Sequence, residues 1–254
     1  MEVDCFSRLC YLIFLPSARP RSTMIKDRLA KVHKDIEAVC KRIGRNPKEI
    51  ILVGATKYAD AAQIKEAVTA GLKHIGENRV QDALEKFAIL DQEHVHATRH
   101  MLGHLQTNKA GDAVEIFDLI QSVDSIRLAD EIEKHAVKLN KMAEVLVEVN
   151  TSGEEQKFGV HLNEVLPLIE EISRCEHIRL SGLMTMAPYT KDQGVIRKCF
   201  RDLRELFDAV EDEYATHPRV EMKYLSMGMT EDYAVAIEEG SNMVRIGRAI
   251  FKES

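Results

Sequence analysis

Residues 51–57 read ILVGATK, six small or apolar residues followed by a lysine. A run of this kind predicts a β-strand that is buried on both faces, as parallel strands are when helices cover both sides of their sheet. A lysine is unusual at the end of such a strand, because its charged amine is costly to bury. Lys57 is either a solvated residue that closes the strand or an amine placed at the edge of a buried core in order to react.

The same alternation of short apolar runs and amphipathic runs continues along the chain. A first helix is predicted from Ile25 to about Ile43, because its apolar residues recur at helical spacing. Strands are predicted at Glu49–Thr56, Lys73–Gly76, His100–Leu105, Leu119–Val123, Ala143–Asn150, Arg179–Met186, Glu221–Met227 and Met243–Ile250. Helices are predicted between them, at Ala61–Ala70, Val80–Leu90, Ser125–Leu139, Leu162–Ile172, Val195–Tyr214 and Asp232–Glu239.

About eight strands, each paired with a helix, fit a single α/β domain folded as a (β/α)8 TIM barrel with an extra N-terminal helix. An open, doubly wound sheet would show the same alternation and is the alternative. The helix starts support this division of the chain. Asp60 with Gln63 predicts a capping box, and Thr230 predicts the cap of the helix that follows the seventh strand.

The composition is that of an ordinary globular chain, with 254 residues, 45% hydrophobic and 30% charged. A net charge of −6 argues against general nucleic-acid binding. The 5 cysteines form no C-x-x-C pair, which predicts a reducing compartment with neither a disulfide framework nor a metal site. No apolar run approaches the ~20 residues that span a bilayer. We therefore expect a cytoplasmic protein without nucleic-acid or membrane partners.

Residues 1–23 differ in character from the rest. A short apolar core at Cys10–Leu15 follows two acidic residues and one arginine and precedes two prolines and two arginines, whereas a secretory signal carries mainly positive charge before the core. We predict a disordered N-terminal extension at 1–23, with a cleavable targeting peptide as the alternative, and a barrel domain at 24–254.

In barrels of this type the active site lies at the C-terminal ends of the strands, and the loops after strands seven and eight often hold a phosphate. Strand seven ends with Ser226 and Gly228, and strand eight contains Gly247. Small residues let backbone N–H groups approach phosphate oxygens, so these three are candidate phosphate ligands. The alternative is that they only terminate strands.

A reactive Lys57 that faces a phosphate site indicates one of two kinds of protein. One is a class I aldolase, and the other is a protein that binds pyridoxal 5′-phosphate (PLP). Arg245 discriminates between them, because a guanidinium donates only and would keep the pyridine nitrogen of PLP unprotonated, which weakens the ring as an electron sink. An internal ion pair is the alternative for Arg245. His74, His100 and His104 show no metal-ligand spacing, and a structural or surface role is predicted for them.

A series of motifs in this chain resembles a known family, the pyridoxal phosphate homeostasis proteins. The motifs occur in the family's order from Ile25 to Phe251. They are TK at 56–57, GENRVQDALEKF at 76–87, GHLQTNK at 103–109, VDSIRLADEI at 123–132, VEVNTSGEEQKFGV at 147–160, LSGLMTMAP at 180–188 and LSMGMTEDYAVAIEEGSNMVRIGRAIF at 225–251.

This resemblance implies a barrel of the fold-type III PLP class, related to the N-terminal domain of alanine racemase. It implies PLP as the cofactor, bound to Lys57, with Asn78 beside the ring and Arg245 at the pyridine nitrogen. The positions implied around the phosphate are Ser226, Gly228, Gly247 and Arg248. The chain departs from the family pattern at Tyr58, at residues 99–101, at Asn242 and after Phe251. Asn242 is a candidate to change a phosphate contact.

The family is understood to bind and supply PLP and to keep vitamin B6 and amino-acid pools in balance, with no firmly assigned reaction. A racemase of this fold takes a second acid/base from a C-terminal β domain. The printed chain stops at Ser254, so we expect that domain to be absent and turnover to be poor. We therefore expect a carrier, not an enzyme, a monomer or weak dimer that passes PLP to PLP-dependent apoenzymes. A racemase-like enzyme using Lys57 with Tyr58 or a pocket histidine is the alternative, and an aldolase is third.

Overall fold

The computed structural model describes residues 21–154 and 156–252, with the side chains described from residue 24 onward. Its strands are β1 (Ile51–Ala55), β2 (His74–Glu77), β3 (Thr98–Met101), β4 (Leu119–Val123), β5 (Ala143–Asn150), β6 (Val160–His161), β7 (Ile178–Met184), β8 (Val220–Ser226) and β9 (Met243–Ile246). All pairings are parallel. The order is β4-β3-β2-β1-β9-β8-β7-β5, and a pairing of β4 with β5 closes the ring. The short β6 pairs with β5 outside the ring. The predicted (β/α)8 barrel is confirmed, and the open sheet is excluded.

Helices surround this ring. They are α1 (Arg21–Ile43), α2 (Ala61–Thr69), α3 (Val80–Gln92), α4 (Ala110–Ile116), α5 (Ile126–Leu139), α6 (Val165–Arg174), α7 (Gln193–Glu213), α8 (Tyr233–Glu238) and α9 (Arg248–Phe251). Helix α1 precedes the barrel and packs on α2, α8 and α9. The predicted extra N-terminal helix is confirmed, and it begins four residues earlier than predicted, at Arg21.

The apolar core has two parts, separated by the wall of strands. The larger part, which we call the outer core, lies between the strands and the helices and includes Phe87, Ile132 and Phe200. The smaller part, the inner core, lies inside the ring. It consists of Val53, Leu102, Leu119, Leu146, Met184 and Met243. Each large side chain that is fully buried in this way stabilises the fold by roughly 1.5–3 kcal/mol.

Two of the strands end four residues earlier than predicted, and most other strand boundaries differ from the prediction by one or two residues. Strand β3 was predicted at His100–Leu105 but ends at Met101, because the chain turns past the end of β2 there. A Cβ on Gly103 would lie 2.4 Å from the carbonyl oxygen of Asn78, so only glycine allows this approach. Strand β9 ends at Ile246, since the carbonyl of Gly247 accepts from two later N–H groups and starts α9.

The helix ends are set by local hydrogen bonds, and one predicted cap is wrong. The Asp60 carboxylate accepts from the Gln63 N–H at 2.8 Å, and the Gln63 side chain accepts from the Asp60 N–H at 3.1 Å, which confirms the capping box. Helix α8, in contrast, begins after Asp232 and not after Thr230. Helix α4 was not predicted, because its seven residues are too few to show a helical period.

The predicted disordered extension, 1–23, lies outside the described residues except at its end, where the chain from residue 21 onward is helical. In the part of the chain that the structure describes, no helix is both long and apolar enough to cross a bilayer. The described side chains also form no group of three or more His, Cys, Asp or Glu that could hold a metal ion.

Candidate ligand site at the mouth of the barrel

Several polar side chains point into the ring at the C-terminal ends of its strands. Side chains alternate between the two faces of a strand, so residues two apart share a face. Arg245 lies two residues after Met243 of the inner core, and Glu148 lies two residues after Leu146 of the inner core. Ser226 lies two residues after Tyr224, which packs on the inner core. The three therefore converge above the inner core.

Arg245 is the charged centre of this end of the barrel. It is 4% exposed. Its Nη1 donates to the hydroxyl of Ser226 at 2.6 Å, and its Nη2 donates to the carbonyl of Thr185 at 2.8 Å. Burial lowers the pKa of Arg245 to about 10, with Glu148 and Asp232 opposing the shift, so the guanidinium stays charged at neutral pH. Both direct partners are neutral oxygens, which does not match the internal ion pair considered above.

A chain of hydrogen bonds continues from Arg245 down the inside of the barrel. The Ser226 hydroxyl donates to Gln121 Oε1 at 2.7 Å, Gln121 Nε2 lies 2.9 Å from His100 Nδ1, and His100 Nε2 lies 3.0 Å from His74 Nδ1. Burial, reinforced by His74, lowers the pKa of His100 to about 3, so this imidazole is neutral. Because arginine only donates, Ser226 must accept from it, which fixes the direction of every later bond.

The chain has two consequences for the predicted residues. The structural role predicted for His74 and His100 is confirmed, since both rings are bonded inside the barrel. The Ser226 hydroxyl is fully buried and holds Arg245 and Gln121, so its described bonds serve the barrel interior. Sequence reasoning had placed this residue at the phosphate.

Lys57 stands in a turn just after β1, and its side chain is exposed at the rim of the barrel. The residue before it is firmly held. The Thr56 hydroxyl donates to Glu77 Oε1 at 2.6 Å, and Lys86 Nζ donates to both the Thr56 carbonyl at 2.9 Å and Glu77 Oε1 at 2.6 Å. This clamp fixes the backbone from which Lys57 projects. Lys57 Nζ lies 4.9 Å from the ring centroid of Tyr58, which is itself 62% exposed.

Two glycines bring the backbone close to the same rim. Gly228 has φ +97, and a Cβ on it would lie 2.6 Å from the Cβ of Ala236. A Cβ on Gly247 would lie 2.8 Å from the carbonyl oxygen of Ala55, two residues before Lys57. Both positions therefore require glycine. Gly247 places the end of β9 against the end of β1, and Gly228 places the loop after β8 against α8.

The remaining predicted residues vary in position. Asn78 is half-buried just after β2. Arg248 is exposed, and its Nη2 lies 3.1 Å from Glu231 Oε1, so its described ion pair faces solvent. Asn242, the departure suspected of changing a phosphate contact, instead accepts from the Leu225 N–H at 2.8 Å and supports the backbone of β8.

Sequence reasoning missed Gln121, Glu148 and Asp232. Glu148 is 1% exposed, and its Oε2 has no hydrogen-bond partner among the described residues. Burial, reinforced by Asp124, raises the pKa of Glu148 to about 7, and Arg245 opposes the shift. An acid inside the apolar run VLVEVN was the available signal, because a strand covered on both faces has no solvated position for it.

Asp232 supports the loop that carries Gly228. Its Oδ1 accepts from the Met229 N–H at 2.5 Å. Burial raises the pKa of Asp232, and the hydrogen bond from Met229 opposes the shift. The Asp232 carboxyl therefore holds the backbone of the loop after β8 in place by this hydrogen bond.

Comparisons with known proteins agree with the fold and identify the family. Residues 28–254 match the model of the alanine racemase N-terminal domain family. A pyridoxal phosphate homeostasis protein of Aquifex aeolicus is 41% identical over 227 residues, which cover 89% of this chain and 97% of that protein. One of Escherichia coli K12 is 34% identical, with 89% and 95% covered.

Solved structures show the same similarity. PipY of Synechococcus elongatus PCC7942, solved with PLP bound, superposes with a TM-score of 0.77 at 31% identity and covers 89% of this chain and 99% of that one. A protein of Bifidobacterium adolescentis superposes with a TM-score of 0.87 at 37% identity, covering 92% and 97%. The chain belongs to the family of pyridoxal phosphate homeostasis proteins, within the wider family of alanine racemase N-terminal domains.

Proposed function

We propose that this protein binds PLP at the mouth of the barrel as a Schiff base on Lys57. In this role it serves vitamin B6 and amino-acid homeostasis in the cell without strong catalytic turnover. The names of its relatives and the PLP-bound PipY structure support this proposal. A monomer or weak dimer, transfer to PLP-dependent apoenzymes and a cytoplasmic location are predictions that go with it.

The observation that carries the proposal is the buried and oriented guanidinium of Arg245. Its described hydrogen bonds use Nη1 and Nη2 on neutral oxygens, and we assign Nε to the pyridine nitrogen of the cofactor. A donor there keeps that nitrogen unprotonated, and PLP with an unprotonated ring is a weak electron sink. This favours storage and transfer of the cofactor over rapid chemistry.

The residues at the rim fit the rest of the cofactor. Gly228 and Gly247 follow the two strands whose loops often hold a phosphate in barrels of this type, and a glycine backbone can approach phosphate oxygens closely. Asn78 is available beside the ring. Ser226 we assign to the orientation of Arg245, because its hydroxyl already bonds Arg245 and Gln121. Arg248 is exposed and can add positive charge to a phosphate by leaving its surface pair with Glu231.

Lys57 is the amine that we assign to the aldehyde of PLP. The inner face of β1 carries Ile51, Val53 and Ala55, which belong to or pack on the inner core. Lys57 is the second residue after β1, so a continued alternation would direct it toward that same face. The clamp on Thr56 holds its backbone while the exposed side chain keeps the freedom to reach a ligand.

A racemase-like enzyme is the second candidate, and the closeness of Lys57 to Tyr58 is the observation that favours it. His100 and His74, the other acid/base candidates, are bonded to each other inside the barrel. Because the pKa of His100 is about 3, its imidazole is a poor proton acceptor at neutral pH. An aldolase has no comparable support.

Titration of the full chain with PLP, followed by absorbance, tests the proposal. We expect one PLP per chain and a new absorption band, and we expect Lys57→Ala to lose the band. Lys73→Ala is the matched control, because Lys73 is also exposed but precedes β2 at the other end of the barrel, and it should behave as wild type. A wild-type chain that takes up no PLP would overturn the proposal.

Chiral separation of amino acids incubated with the PLP-loaded protein tests the absence of strong turnover. We expect little racemisation above the rate with free PLP. Rapid racemisation by the wild type that is lost in Lys57→Ala would show that the protein is a racemase-like enzyme and not a carrier. The proposed PLP-binding site would stand in either case.

A further inference from the structure

Glu148 is a carboxyl group at the proposed site that no part of the proposed function uses. It lies on the inner face of β5, above Leu146 of the inner core. It is 1% exposed, and its Oε2 has no hydrogen-bond partner in the described part of the chain. A buried carboxylate oxygen without a hydrogen-bond partner is costly, so its presence at a ligand site calls for an explanation.

The position of β5 places Glu148 across the barrel from Lys57. In the ring, β5 is the fourth strand from β1 in one direction, through β2, β3 and β4, and also in the other, through β9, β8 and β7. The two strands therefore face each other. A ligand that is held at the ends of β1, β9 and β8 has the Glu148 carboxyl on the opposite side of the mouth.

The charges around Glu148 are few. Asp124, at the end of β4, is paired with His104 at 3.3 Å and disfavours a second negative charge. Arg245 on β9 favours the carboxylate. Met184, its partner in register on β7, is uncharged. Burial is the largest influence and favours the neutral acid, so the carboxyl is close to balance between its two forms near neutral pH.

We propose that Glu148 is a ligand-facing residue of this site and that it takes up a proton when a phosphorylated pyridoxal compound binds. The inference rests on the proposed function. The ligand brings a phosphate monoester with a charge of roughly −1.5 to −2 to a mouth that already holds Asp124. A further anion there is unfavourable, so a proton from solvent converts the Glu148 carboxylate into the neutral acid. The acid then has an O–H that can donate to the ligand.

Proton uptake is measured by isothermal titration calorimetry of the full chain in two buffers that differ in ionisation enthalpy. Pyridoxine 5′-phosphate is the probe, because it carries an alcohol in place of the aldehyde and forms no covalent bond with Lys57. At pH 8 we expect the wild type to take up more protons than Glu148→Gln, by a difference approaching about one per site. At pH 5 Glu148 is already protonated, so the difference should vanish.

Glu144→Gln is the matched control, since Glu144 is on the same strand and on the same face by alternation, at the N-terminal end of β5. It should show the wild-type proton uptake. If Glu148→Gln does not fold, Glu148→Met supplies a second uncharged side chain of similar size. Equal uptake by the wild type and by an uncharged variant that still binds would overturn the inference alone. Failure of the wild type to bind the probe or PLP would overturn the proposed function and the inference together.

Discussion

The outer core and the interior of the barrel share the same strands but are filled in different ways. The outer core is continuous and apolar, with side chains such as Phe87 and Phe200 packed between strands and helices. Inside the ring, the apolar inner core gives way at the mouth to Arg245, Glu148 and Gln121. Burying charged and amide groups costs stability, so a fold keeps them where a ligand makes use of them. The outer core thus stabilises the barrel, and the mouth is the place where we propose that the ligand binds.

Phe200→Ala should have the largest effect on folding. Phe200 is fully buried on α7 in the outer core, and its truncation should lower the free energy of unfolding by about 3–5 kcal/mol. Urea denaturation measures this change. The dissociation constant for PLP should stay within about twofold of wild type, because additivity holds for distant sites. A loss below about 1 kcal/mol would contradict the division of roles between the two regions.

Glu148→Gln, in contrast to Phe200→Ala, should increase the free energy of unfolding. The pKa of Glu148 is raised from 4.5 to about 7 in the folded chain. The folded state therefore benefits fully from this group below about pH 4.5, and that contribution is lost as the pH rises from 4.5 to about 7. At about 1.4 kcal/mol per pKa unit, the rise from 4.5 to about 7 corresponds to about 3.5 kcal/mol of additional stability for the variant at pH 8.

The dependence of this difference on pH separates a charge effect from a packing effect. Unfolding of wild type and Glu148→Gln should be compared at pH 5 and pH 8, with Glu144→Gln as the control on the same strand. The gap between wild type and Glu148→Gln should shrink to about 1 kcal/mol or less at pH 5, which is close to the pKa of this group in the unfolded chain. A gap of the same size at both pH values would show that the carboxyl is not near balance in the folded protein.

Gln121→Leu should have a smaller cost, about 1–3 kcal/mol, because it leaves the Ser226 hydroxyl and His100 without their partner. It should also weaken PLP binding, since Arg245 would lose part of its support. Ser122→Ala is the control, because the adjacent Ser122 hydroxyl is buried without a hydrogen-bond partner among the described residues. Calorimetric unfolding and PLP titration of both variants test this pair. Equal losses would show that the hydrogen-bond chain has no special role.

The sequence predicted most of the fold because the buried strands are apolar on both faces. The bounds of β4 and β5 matched the prediction. The end of β3 did not, because it depends on the close approach of Gly103 to Asn78, which is a tertiary contact. The predicted end of β9 failed because the apolar run continues into α9.

For the site, strand ends and unusual residues indicated Lys57, Arg245 and the two glycines. Gln121 and Glu148 were missed, because a polar residue in an apolar strand gains a role only from the face on which it lies. Whether a strand residue faces the inside of the ring, and which side chain it contacts there, is determined by the closure of the barrel. The same holds for Ser226, whose hydroxyl faces Arg245 and Gln121 inside the ring.

The central claim is that Lys57 holds PLP at the mouth of the barrel. Borohydride reduction of the PLP-loaded wild-type chain, followed by peptide mass mapping, tests it most directly. We predict a single pyridoxyl adduct, on the peptide that contains Lys57, and no adduct in Lys57→Ala treated in the same way. An adduct on another lysine, or one spread over many lysines while Lys57 stays unmodified, would contradict the account.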